Sequence, residues 1–103
     1  MSSANYVFQP GLSNTTAISA TGTTSRAALN KPSNPGALTV RIHNAGAVTV
    51  FVQFGDSAVE ATTSHMPLPA NVVEVFSVGA ATHIAGITAS GSATVYLTTG
   101  FGA

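Results

Sequence analysis

In Leu38-Thr39-Val40-Arg41-Ile42-His43, apolar side chains alternate with polar ones. A period of two places Leu38, Val40 and Ile42 on one face of an extended strand. Val48-Thr49-Val50-Phe51-Val52-Gln53-Phe54 repeats the pattern, with Val48, Val50, Val52 and Phe54 sharing a face. No window of about twelve residues sets apolar positions at helical spacing free of glycine, proline or β-branched clusters. The chain is therefore expected to be all-β.

Turn residues close each run. Asn44-Ala45-Gly46-Ala47 predicts a tight turn with Gly46 at positive φ, and hence a hairpin from Leu38 to Phe54. A second hairpin is expected from His83-Ile84-Ala85-Gly86-Ile87-Thr88, through Ala89-Ser90-Gly91-Ser92, to Ala93-Thr94-Val95-Tyr96-Leu97-Thr98. Gly46-Ala47-Val48-Thr49-Val50-Phe51-Val52 aligns with Gly91-Ser92-Ala93-Thr94-Val95-Tyr96-Leu97. Convergence on a good turn-and-strand sequence explains that match at least as well as duplication. Between the two hairpins, Val72 to Val78 forms another strand. The prolines of Met66-Pro67-Leu68-Pro69-Ala70-Asn71 exclude a central strand and favour an extended loop, and Lys31-Pro32-Ser33-Asn34-Pro35-Gly36 is a loop of the same kind. Weaker strand candidates are Tyr6 to Gln9, Thr15 to Ala20 and Thr23 to Ala28. Such spacing predicts an antiparallel β-sandwich or jelly roll of about seven or eight short strands. Residues 1–11 read as an N-terminal arm carrying the apolar triplet Tyr6-Val7-Phe8, and residues 12–103 as a single β-sandwich domain.

Charge narrows the partners. Only 6% of the 103 residues are charged, against roughly 25% in an ordinary soluble chain. Arg26, Lys31 and Arg41 balance Asp56, Glu60 and Glu74, for a net charge of zero. Three basic groups do not neutralise the row of phosphates that nucleic-acid affinity requires, so no nucleic-acid partner is expected. A hydrophobic content of 45% excludes the composition of a disordered chain. No membrane partner is expected either: the most apolar stretch, Val72 to Ile87, is interrupted by Glu74, Ser77, Gly79, Thr82, His83 and Gly86, short of the ~20 continuous residues of a spanning helix. The opening Met1-Ser2-Ser3-Ala4-Asn5 lacks the features of a signal peptide. A chain this poor in charge favours association, so a homo-oligomer is expected.

Catalytic chemistry finds little to work with. There is no cysteine, which removes thiolate nucleophiles and thiolate metal sites. His43, His65, His83, Asp56, Glu60 and Glu74 are scattered, so no metal site is expected; Glu60 with His65 is the nearest approach to one. Asp56 sits in the turn Phe54-Gly55-Asp56-Ser57, where aspartate caps its own backbone. No nucleophile elbow or phosphate-binding glycine loop is present. The reading is of a protein that is not an enzyme and needs no cofactor. Two features depart from core patterning. Phe51 and Tyr96 occupy equivalent positions on the otherwise polar side of their strands, either beneath a covering layer or at a subunit contact. Glu74 lies among apolar neighbours, either paired with Arg41 or, the better fit, facing water from an edge strand.

Phe54-Gly55-Asp56-Ser57-Ala58-Val59-Glu60-Ala61-Thr62, Met66-Pro67-Leu68-Pro69-Ala70, Val73-Glu74-Val75-Phe76 and the run from Thr82 to Leu97 together resemble small virion proteins of tailed bacteriophages. The resemblance spans residues 38–103; the N-terminal third matches nothing in that group. It implies a capsid decoration or cement protein, a β-sandwich homotrimer that binds the major capsid protein and clamps neighbouring capsomers. It also implies synthesis in the host cytoplasm and residence on the capsid surface of the virion. Tyr6, Val7, Phe8, Phe51 and Tyr96 are the expected subunit or capsid contacts. Two rival classes share the composition. A head- or tail-fibre module binding a host receptor would carry loop aromatics for sugar stacking, which 31–36 and 64–71 lack. A head–tail connector component would carry more charge toward DNA.

Overall fold

A computed structural model describes residues 9–29 and 38–101. Within them the chain forms eight strands and no helix: β1 (Gln9–Ala20), β2 (Ser25–Ala28), β3 (Leu38–Asn44), β4 (Val50–Gly55), β5 (Met66–Leu68), β6 (Val73–Gly79), β7 (His83–Thr88) and β8 (Ala93–Phe101). Two four-stranded antiparallel sheets result, ordered β1-β8-β3-β6 and β2-β7-β4-β5. First strand pairs with last, second with seventh, third with sixth and fourth with fifth. That is the winding of a jelly roll, an antiparallel ribbon rolled until its two halves face each other. The all-β sandwich expected from the alternation is what the chain adopts.

The inward faces are those the alternation marks. Val40, Ile42, Val95 and Leu97 from the first sheet meet Val50, Val52, Leu68 and Ile84 from the second, and all are essentially inaccessible to water. Phe54 and Phe76 close one end with ring centroids 5.9 Å apart.

The two expected hairpins do not form. β3 belongs to the first sheet and β4 to the second, so residues 45–49 cross the sandwich as an arch. Residues 89–92 carry β7 back to β8 in the same way. Alternation specifies which face of a strand is buried but not which sheet receives it, and a short arch has the length and turn residues of a hairpin loop. Gly46 is absent from the positive-φ glycines. Its lack of a side chain answers a different need, since a Cβ there would collide with the Ala93 side chain and sit 2.7 Å from its Cα. Gly91, in the other arch, does take φ +76°.

The two arches supply the four central strands and lie against each other about a pseudo-two-fold axis. Asn44↔Val95, Ile42↔Leu97 and Val40↔Thr99 pair in the first sheet. Their counterparts Thr88↔Val50, Gly86↔Val52 and Ile84↔Phe54 pair in the second. The internal sequence match between the arches is thus a structural equivalence. Each arch glycine also faces the other arch: Gly46 abuts Ala93, and a Cβ on Gly91 would lie 3.6 Å from Val48.

A polar residue ends each inward row. Thr88 donates its hydroxyl to the Gly91 carbonyl at 2.7 Å. Asn44, wholly buried, does more. The two hydrogens of its amide nitrogen are shared among the carbonyls of Val48 (2.9 Å), Leu68 (2.9 Å) and Pro69 (3.2 Å), and its Oδ1 accepts from the Gly46 N–H at 3.0 Å. The backbone of Asn44 accepts from Asn71 N–H and donates to Val72 O, a bulge with Asn71 at φ +63°. Among the described residues no buried side-chain nitrogen or oxygen lacks a partner.

At the N-terminal end, β1 begins at Gln9, paired with Phe101, so residues 9–11 of the expected arm are strand. Residues 1–8, with Tyr6, Val7 and Phe8, lie outside the described residues. Met66–Leu68, expected as loop, is a three-residue strand at the margin of the second sheet, where Pro67 is tolerated.

Asn44→Ala strips donors from buried carbonyls and should destabilise the fold by about 3 kcal/mol or more in urea unfolding. Gly46→Ala, which forces the two arches apart, should cost about 1–3 kcal/mol in the same measurement.

Candidate interaction surface

Directly paired residues in an antiparallel sheet point to the same side. The outer face of the first sheet therefore carries a row Ala17–Tyr96–His43–Val73 across all four strands, and beside it Thr15–Thr98–Arg41–Val75. Tyr96, Val73 and Val75 are 43%, 42% and 39% exposed, three of the four large exposed apolar side chains among the described residues. The fourth is Met66 on the second sheet. The His43 and Tyr96 rings lie 6.2 Å apart at 30°, and the Thr15 and Thr98 hydroxyls bond at 2.8 Å. Arg41 is the one charged group in these two rows. This face can bury apolar area at little cost in desolvated charge.

The outer face of the second sheet is different because the segment joining β4 to β5 folds over part of it. Asp56 Oδ1 accepts from the Ala58 N–H at 2.9 Å, the turn role expected of it. Beyond the turn, Arg26 donates to the Val59 carbonyl at 2.9 Å, and the Ala61 N–H donates to Thr24 Oγ1 at 2.9 Å. Ala61 and the outward Ala85 are buried in consequence.

Phe51 lies on this second face, half-buried between Ile87 and Pro67. Phe51 and Tyr96 are equivalent under the pseudo-two-fold axis and so point out of opposite sides of the sandwich. They form no common patch on one subunit. Val73 and Val75 were not among the sequence candidates, because they sit in an apolar run that reads as core. The signal lay in Glu74 between them. It pairs with Ile42 on the core-facing side, but β6 is the margin of its sheet, so Glu74 reaches solvent. Arg41 pairs with Val75 on the opposite side and is not its partner.

His65 Nδ1 accepts from the Thr62 N–H at 2.9 Å, a local turn contact. No three His, Cys, Asp or Glu side chains converge on a metal-sized site among the described residues, nor is any helix there long and apolar enough to cross a membrane. The whole accessible surface is 5379 Å², so each of the six charged residues serves about 900 Å² of it. Compared with protein-family models and with curated proteins, the chain matches none.

Tyr96→Ala should change unfolding stability by less than about 1 kcal/mol, whereas Leu97→Ala, its inward neighbour, should cost about 2–5 kcal/mol. EDTA and added divalent cations should leave the melting temperature unchanged.

Proposed function

We propose that this chain is a structural protein of a tailed-bacteriophage virion, binding the outside of the capsid and reinforcing the junctions between neighbouring capsomers. The observation that carries this reading is the outer face of the first sheet. There Tyr96, Val73 and Val75 stand exposed on a rigid four-stranded platform with one charge among them. Aromatic and aliphatic groups on a low-charge surface are what a docking patch is made of. The likeness of residues 38–103 to small phage virion proteins supplies the class of partner, the major capsid protein.

The mechanism is linkage. A protein that binds the assembled shell and not its dissociated parts lowers the free energy of the shell by the free energy of binding, multiplied over many copies. Such work needs shape and apolar area rather than chemistry. In this reading Tyr96 is the central contact, and Tyr6-Val7-Phe8, upstream of β1, supply a second. Phe51 faces the opposite side and belongs to a different contact.

The test uses bare heads of the phage that encodes the chain. The purified protein should sediment with them and raise the temperature at which they release DNA. Tyr96→Ala, and separately a chain lacking residues 1–8, should each bind at least about ten-fold more weakly, or ~1.4 kcal/mol. Far-UV circular dichroism should show both still folded. Failure of the full chain to bind heads at any concentration would overturn the assignment.

A further inference from the structure

A jelly roll leaves four sheet margins, and three of them here are short or interrupted in ways that hinder strand addition. β2 has only four residues. β5 has three, with Pro67 at its centre lacking a donor. β1 contains Pro10, and its register slips between Pro10 and Thr15. β6 is guarded more lightly, by the single inward-side charge of Glu74. Its register against β3 is unbroken from Val73 to Ser77, with no proline, lysine or bulge between them. It also carries two of the exposed valines.

The hydrogen-bond alternation shows which backbone groups of β6 have no ladder partner among the described residues. Asn44 N–H bonds Val72 O, and Asn71 N–H bonds Asn44 O. From that start an antiparallel ladder turns the peptide groups of Glu74 and Phe76 toward β3, and those of Val73, Val75 and Ser77 toward the open edge. We infer that this edge is a self-association site, at which β6 of a second copy of this chain pairs antiparallel about a two-fold axis through Val75.

Charge and ladder geometry select that register. An axis at Glu74 would set two carboxylates directly opposite each other, which is destabilising. An axis at Phe76 would pair Val73 with Gly79, the φ +59° residue that ends the strand. With the axis at Val75, Val75 faces its own copy, each Val73 faces the partner's Ser77, and each Glu74 lies beside the partner's Phe76. All three edge-facing positions then bond, and the exposed valines meet on the outer face of one continuous eight-stranded sheet. The inference rests on the edge alone and does not depend on the capsid reading.

The register makes a charge-swap test possible, because only a residue on the axis meets itself. Sedimentation velocity of the full chain should show a dimer. Val75→Lys and Val75→Glu should each weaken it at least about ten-fold through like charges placed opposite. An equimolar mixture of the two should restore it. Val73→Lys, which faces Ser77, should weaken it less than Val75→Lys does. Val75 is exposed, so both variants should melt near the wild-type temperature. A wild-type chain that stays monomeric at high micromolar concentration would overturn the inference. So would a dimer or a closed trimer indifferent to Val75→Lys, or a mixture that fails to re-associate.

Discussion

One buried carboxamide holds the corner where the two sheets meet. Asn44 ends a strand of the first sheet, yet its side chain bonds carbonyls at the end of β5 in the second and within the arch between β3 and β4. Its own peptide group starts the β6 ladder through Asn71 and Val72. Three backbone carbonyls surround the nitrogen and one N–H faces the oxygen, so the orientation of the amide is set by its partners. A buried polar group so fully satisfied specifies one geometry, because any shift leaves a carbonyl without a donor. The path of the first arch, the entry to the edge strand and the pairing of the two sheets all depend on it.

The pseudo-two-fold arrangement follows from the same region. Two crossing segments, each a strand, an arch and a strand, pair with one another in both sheets. Gly46 packs on Ala93, and Gly91 approaches Val48. Thr88 takes the place of Asn44 with one side-chain bond inside its own arch, while its N–H bonds the Thr21 carbonyl. Of the two, only the Asn44 side chain reaches outside its own arch, to the carbonyls at the end of β5.

Much of this was legible in the sequence. Alternation identified the inward residues Val40, Ile42, Val50 and Val52, and Glu74 marked β6 as an edge. What alternation does not encode is the destination of a strand after a short turn. Both supposed hairpins were arches for that reason, and the buried Asn44 looked like an ordinary turn residue because its acceptors at Leu68 and Pro69 are distant in sequence. The interaction surface was half legible. Tyr96 stood out as an aromatic on a polar face, but Val73 and Val75 were hidden in an apolar run whose edge position only the sheet order reveals. Phe51 and Tyr96, equivalent in sequence, diverge in space because the arches carry them to opposite sheets.

A sandwich whose outer face carries exposed Tyr96, Val73 and Val75 beside the single charge of Arg41 is consistent with the proposed role in attachment. On a capsid, the outer face of the first sheet would bear on the shell proteins, and the β6 edge would join copies side by side. If the chain is a phage virion protein as proposed, a cryo-electron microscopy map of the virions that carry it tests the account most directly. It should show eight-stranded sandwiches on the outside of the shell at the junctions between capsomers, with Tyr96 and Val73 turned toward the major capsid protein. Density for the chain on a fibre or at the portal, or on the shell with that face turned to solvent, would contradict it.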